Sequence, residues 1–229
     1  MRNLASLVFA AGLGFFLTVL LLQFGFGEPP MIVGQAIQEG AAETVGAANF
    51  VTAVVLAYRG IDTLGELSIL FAAAAAAGLA LGARGGAPVA GKDAGFVLRA
   101  GSDLLFPLLL VVGLYIILHG HLTPGGGFQG GVILAAAFFI PVLARPARGL
   151  RHSTLSLVEG FAGAAFIVIG LMALLWDGQF LQPLLGTGTL GSLVSAGTLP
   201  MLYLAVGLKV GAELAGLLTH LMAREEGEA

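Results

Sequence analysis

Lys209 and Glu213 stand one helical turn apart, so an ammonium and a carboxylate can pair on one face of a helix. Their surroundings are apolar, and a charge in such a segment needs a partner or a water-filled cavity. Glu159 is a third ionisable group inside an apolar stretch, placed so that its side chain can reach toward the nearer end of its helix. Arg59, Asp62 and Glu66 fall in the run Arg-Gly-Ile-Asp-Thr-Leu-Gly-Glu, where the two carboxylates share a helix face beside a guanidinium. Such a cluster can keep one carboxylate ionised and the other protonated, as a proton or cation carrier requires. It can equally cap the helix, with Asp62 as N-cap and the acidic groups complementing the helix start. His119 and His121, two residues apart on a turn, suit proton exchange or hydrogen bonding near neutral pH. They have no third ligand nearby, and no metal site is expected.

Apolar residues make up 58% of the 229 residues and charged ones 10%, with a mean hydropathy of +0.99. That balance excludes a soluble surface and makes the chain an all-α integral membrane protein. Without cysteine the sequence has no thiol nucleophile and no thiolate ligand for a metal or iron–sulfur cluster. No nucleophile and base stand in register, so no catalytic site and no bound cofactor are expected. The ten Lys and Arg residues are dispersed and the formal net charge is -3, which leaves no footprint for nucleic acid.

A span needs about 20 apolar residues. Residues 4–24, 64–81, 104–118, 128–143 and 158–176 qualify once flanking small residues are included, and a sixth span runs over 196–222, interrupted by Pro200, Lys209 and Glu213. The first reads as a retained anchor, since its apolar run exceeds a signal-peptide core and no small-x-small site follows. Arg84, Lys92 and Arg99, then Arg145, Arg148 and Arg151, then Arg224 mark three segments as cytoplasmic by the positive-inside rule. Connections at 25–44, 120–127 and 177–195 carry no Lys or Arg and face outward. With Arg2 inside, both termini are cytoplasmic and six spans fit the charges. Residues 43–58, helical in pattern but short, then lie at the outer interface or enter and leave on one side; seven spans are the alternative.

The polar linker at 83–92 divides the chain into residues 1–91 and 92–229. The alanine run at 72–77 provides a face for close helix packing. Pro124, Gly125, Gly126, Gly127, Gly130 and Gly131 form a hinge that turns the backbone sharply and starts the next helix without side chains between it and its neighbours. Gly125, Gly127 and Gly130 also match the spacing of a dinucleotide fingerprint, but no strand precedes them, so the match is accidental.

The run His119-Gly-His-Leu-Thr-Pro-Gly-Gly-Gly-Phe-Gln-Gly-Gly131, followed by Thr198-Leu-Pro-Met-Leu-Tyr-Leu-Ala-Val-Gly-Leu-Lys-Val-Gly-Ala-Glu213, resembles the MrpB (MnhB) subunit of multisubunit Na+/H+ antiporters and its counterpart in membrane-bound hydrogenases. The stretch from Asn49 to Glu66 looks like the C-terminal end of the large MrpA subunit, a separate small subunit (MbhE) in the hydrogenases. The resemblance implies that 1–91 is MbhE-like and 92–229 MrpB-like, fused in one chain of the cell inner (plasma) membrane. It implies a non-catalytic subunit beside ion-pumping membrane subunits, with H+ and Na+ as the ions moved, or a purely structural scaffold holding those subunits together. Asp62, Glu66, Lys209 and Glu213 match polar positions of the family motifs and would lie along an ion path or support it. Before Tyr58, where the family commonly has an acidic residue, this chain has Ala57, and the resemblance does not require His119 as a carrier.

Overall fold

The computed structural model describes residues 2–23, 31–81 and 92–225. Glu28, and the linker at 83–92 apart from Lys92, lie outside the described residues, and so does Arg84. The described chain is helical without strands: α1 (Arg2–Gln23), α2 (Ile32–Thr44), α3 (Phe50–Thr52) running into a wider π-helical stretch (Ala53–Tyr58), α4 (Gly60–Leu81), α5 (Phe96–Leu118), α6 (Gly127–Ala144), a 3-10 turn (Pro146–Arg148), α7 (His152–Asp177) and α8 (Leu199–Glu225). Residues 1–36 form one unit and 37–229 a second. The first consists of α1, a 22-residue apolar helix, and the beginning of α2.

Six described helices are long and apolar enough to span a bilayer: Leu4–Gln23, Gly60–Ala80, Phe96–Leu118, Gly127–Ala144, His152–Trp176 and Leu199–Met222. The expected six agree, with two differences at the ends. The second span begins at Gly60 rather than Leu64, so Asp62 joins Glu66 inside it. Pro200 does not interrupt the last span; it occupies the first turn of α8, where a missing N–H is tolerated.

In the larger unit α8 is the central helix, packed by α4, α5, α6 and α7. Small residues set the closest approaches. A methyl group at Gly131 of α6 would lie 2.8 Å from the Gly207 carbonyl oxygen and 2.8 Å from Val210 Cβ of α8. One at Gly127 would lie 2.8 Å from the Tyr203 carbonyl oxygen, and one at Gly113 of α5 would lie 3.2 Å from that of Gly130. Backbones that approach this closely gain dispersion contacts, which drive helix association where lipid removes the hydrophobic effect. Ile117, Leu134, Leu202, Val206 and Val210 fill the remaining space. The alanine run of α4 behaves differently from expectation: most of it is exposed within this chain, because α4 meets α8 along only part of its length.

Residues 43–58 are not one helix. A turn at 45–49 separates α2 from α3, with Gly46 at φ +71° and the Asn49 side chain accepting a hydrogen bond from the Val51 N–H as N-cap. Both ends of this segment attach to connections at the same end of the helices. Asn49 binds the loop after α5, while Gly60 leaves room for the buried Leu181 of the α7–α8 connection. The segment therefore enters and leaves on one side, as the six-span count requires. At the opposite end the Ala94 N–H donates to the Ala144 carbonyl at 3.0 Å, and Arg145 makes a two-pronged ion pair with Asp103 at 2.7–2.8 Å. The two ends are called here the loop end and the basic end.

Replacing Gly131 with Val should force α6 away from α8 and destabilise the protein by about 1–3 kcal/mol, the usual range for overpacking. Gly160→Ala, where a methyl group meets nothing within 4 Å, should be neutral. Thermal unfolding in detergent compares the two.

Candidate functional site

Lys209 sits ten residues into α8, about 15 Å from its start. Its aliphatic stem passes over α7 at Gly163, where a methyl group would lie 3.6 Å from Lys209 Cδ. Its ammonium donates to Glu213 Oε2 at 3.1 Å, pairs with Glu159 Oε1 of α7 at 3.5 Å, and lies 5.1 Å from the centre of the Phe71 ring of α4. Lys209 and Glu213 are both buried, with 8% and 4% of their surface exposed. The i, i+4 pairing follows from the sequence spacing; the third member does not, since Glu159 turns to Lys209 rather than only toward the helix end. Glu213 Oε1 has no hydrogen-bond partner among the described residues. One amine faces two carboxyl groups, so the cluster holds one acidic group more than it has basic ones.

Two members of this cluster stand at one end of a half-open chamber of ≈ 590 Å³ between α4, α7 and α8. Glu159 and Glu213 line it, with Phe71, Ala74, Ala75 and Gly78 on the α4 side. A second cavity of ≈ 200 Å³ lies nearer the loop end, lined by Glu66, Thr63, Thr52, Tyr203 and the glycines at 125–127. Tyr203 is buried, with its hydroxyl facing that of Thr52. Leu67 of α4 is buried and apolar, and Val206 of α8 lines the smaller cavity.

Asp62 is not brought to either cavity. It stands in the first turn of α4 and pairs with Arg59 on an exposed surface. The N-cap reading of Asp62 is corrected: α4 begins at Gly60, because Arg59 ends the π-helical stretch with its N–H on the Val54 carbonyl. Arg59 and Asp62 thus form a helix-start ion pair, worth little where both are exposed.

The histidines part company. His119 stacks on Tyr115, with ring centroids 4.1 Å apart and Nδ1 3.0 Å from the Tyr115 carbonyl oxygen. His121 is fully buried, with Nε2 3.3 Å from the Ser192 carbonyl oxygen of the α7–α8 connection. Burial holds the His121 imidazole below its ordinary range, and His119 adds to the effect; contacts to the backbone at Ser192 and Leu193 oppose it. The glycines beyond them make the turn: Gly125 and Gly126 have φ of +150° and +140°, which side-chain-bearing residues rarely adopt.

Asn49 was not singled out by its sequence, yet it ties the loop in place. Its side-chain amide donates to the Gly120 carbonyl at 2.8 Å and the Thr123 carbonyl at 2.9 Å, while its backbone N–H donates to the His121 carbonyl at 3.0 Å. Thr52 adds a fourth bond, from its hydroxyl to the Gly120 carbonyl at 2.6 Å. The only advance signal was an amide at the start of a short helical pattern; its partners are more than 70 residues away.

Helices of this length, with charge buried at mid-depth, define a multi-pass membrane protein. Residues 97–216 match the family model described as a domain related to the MnhB subunit of Na+/H+ antiporter. An uncharacterized protein of Methanocaldococcus jannaschii is 30% identical over 200 residues, covering 75% of this chain and 74% of its own length. A putative antiporter subunit, mnhB2, of Staphylococcus aureus (strain Newman) is 43% identical over 53 residues, 23% of this chain and 38% of that protein. Among solved structures, a chain of the membrane-bound sulfane sulfur reductase, an archaeal respiratory membrane complex, superposes with a TM-score of 0.80 at 36% identity, covering 96% of this chain and 98% of that one. A chain of the Mrp complex from Dietzia sp. DQ12-45-1b gives 0.77 at 28% identity, with 98% of this chain matching 26% of that longer one. The protein belongs to the MnhB family.

Asn49→Ala should weaken the loop's attachment by about 1–3 kcal/mol, since it removes the side-chain donor of the Thr123 carbonyl and leaves Gly120 only the Thr52 hydroxyl. Faster proteolysis within 119–126 in detergent would report it. His121 makes the same region acid-sensitive. An imidazole held below 6.5 in the folded state stabilises fully above that pH, and its contribution is lost as pH falls below it. The unfolding temperature should therefore drop between about pH 7 and pH 5, and His121→Gln should flatten the drop.

Proposed function

We propose that this protein is a non-catalytic membrane subunit of a multisubunit cation/proton antiporter module, and that the cluster of Lys209, Glu213 and Glu159 lies on its proton or sodium path. Family membership supports the first part, together with the likeness to subunits of two multisubunit membrane complexes. The observation that carries the second is the charge count. Two carboxylates and one ammonium at mid-membrane depth need one more positive charge for neutrality, and a proton or a metal cation supplies it. Occupancy of Glu213 then alters the field at Glu159 and Lys209, so a charge arriving on one group favours release from another without covalent chemistry.

Glu66 and Tyr203 extend the polar positions toward the loop end, in the smaller cavity, which shares no lining residue with the larger one. Asp62 is a less suitable carrier because Arg59 already neutralises it at the surface. The charge bias of the connections supports a cytoplasmic basic end and cytoplasmic termini in the cell inner (plasma) membrane. The division at 91 and 92 is read as a fusion of an MbhE-like and an MrpB-like piece; the family match beginning at residue 97 agrees with it. The apolar outer faces of α4, α5 and α7 are open to lipid or to neighbouring membrane subunits.

Lys209→Met leaves buried carboxylates without their counter-charge and should cost about 3–5 kcal/mol of stability, whereas Lys209→Met with Glu213→Gln removes charge from both sides and should recover much of it. Na+ and H+ flux in membrane vesicles, measured after a native gel confirms assembly of the complex, separates the two roles. A path role leaves flux lost in the double variant despite recovered stability. Flux that returns with stability makes the cluster a scaffold.

A further inference from the structure

Two histidines outside the cluster stand at the basic end of the larger chamber. His152 opens α7 and His220 lies near the end of α8, with ring centroids 5.3 Å apart in an edge-on arrangement. Both line the chamber that Glu159 and Glu213 also line. The spacing is the same on each helix: seven residues from His152 to Glu159 and seven from Glu213 to His220. Two turns put each imidazole on its carboxylate's face, about 10 Å away along the axis. The chamber's volume has room for on the order of ten waters.

We propose that His152 and His220 form the proton-collecting mouth of this chamber, passing protons between the medium at the basic end and Glu213. The proposal rests on the reading of the cluster as part of an ion path and assigns that path an entrance. Three observations lead to it. Glu213 presents a buried carboxylate oxygen with no partner among the described residues, so an acceptor waits at the inner end. The two rings meet edge-on, and neither imidazole has a hydrogen-bond partner among the described residues, which leaves their ring nitrogens free to bond water in the chamber. The chamber wall from α4, Phe71 to Leu79, carries no titratable group, so the ionisable groups facing the histidines are Glu159 on α7 and Glu213 on α8, with Lys209 behind them. Arg151 precedes His152 on the exposed surface and adds positive charge outside the mouth. A pair of imidazoles holding a helix end for structure alone would not need a cavity leading from it to a buried acid.

The test uses inverted membrane vesicles carrying the assembled complex, with Zn2+ in the bath as probe, since imidazoles bind zinc readily. Zn2+ should slow antiport by the native protein and leave the double variant His152→Gln/His220→Gln unaffected. That variant should also transport on the order of tenfold more slowly than the native protein at about pH 8, with a smaller loss at about pH 6, where bulk protons are abundant. Native rates in the double variant at both pH values overturn the entrance. If Glu213→Gln has lost flux in parallel vesicles, that failure belongs to the entrance alone; native flux in Glu213→Gln overturns the cluster's role and the entrance with it. Should the double variant fail to assemble, the decision falls to His220→Gln, whose unchanged zinc sensitivity overturns the proposal.

Discussion

The close approach of α6 to α8 is the contact on which the rest of the larger unit depends. Gly127 and Gly131 let the α6 backbone lie against Tyr203, Gly207 and Val210 without intervening side chains. Because α6 and α5 take so little room on one side, α8 can be covered by α4 and α7 on the others. An apolar helix at the periphery would have to send a lysine at mid-depth toward lipid, where a charge costs several kcal/mol. At the centre of the bundle the same lysine reaches a carboxylate on its own helix and another on α7. Tight packing by glycine thus comes before the electrostatics and makes them tolerable.

The charge cluster and the two cavities form a series along α8. Tyr203 stands in the cavity near the loop end, Lys209 and Glu213 at mid-depth, and His220 at the basic end of the chamber. Lys209, Glu213 and His220 share one face of α8, with Tyr203 roughly a quarter to a third of a turn around it; α4 supplies Phe71 to Leu79 to the larger cavity, and Thr63 and Glu66 to the smaller one. Polar positions along the bundle are therefore not continuous: the two cavities share no lining residue, and the buried apolar Leu67 follows Glu66 on α4.

The helices were legible because twenty-residue apolar runs have few other solutions, and the Lys209–Glu213 pair because one helical turn brings them together whatever the rest of the fold does. Glu159 was recognised as an acid within an apolar span, able to reach its helix end, but not as a partner of Lys209, since that meeting depends on how α7 packs on α8. His152 and His220 carried no local signal at all; 68 residues separate them, and each looks like a polar residue at a helix end. Asp62 misled through its type, because an acid near a helix start reads as a cap, whereas the backbone placed that start at Gly60. The turn at 45–49 was hidden for a similar reason: apolar pattern continues through it, and only Gly46 and Asn49 mark the break.

The attachment of residues 49–52 to the loop after α5 is made entirely from side chains and N–H groups on one partner to main-chain carbonyls on the other. Recognition of this kind reads the path of the loop backbone, which Gly120 helps to set, since a methyl group there would lie 2.8 Å from Gly126 Cα. A joint of that sort would hold equally well whether the two segments were made as one polypeptide or as two.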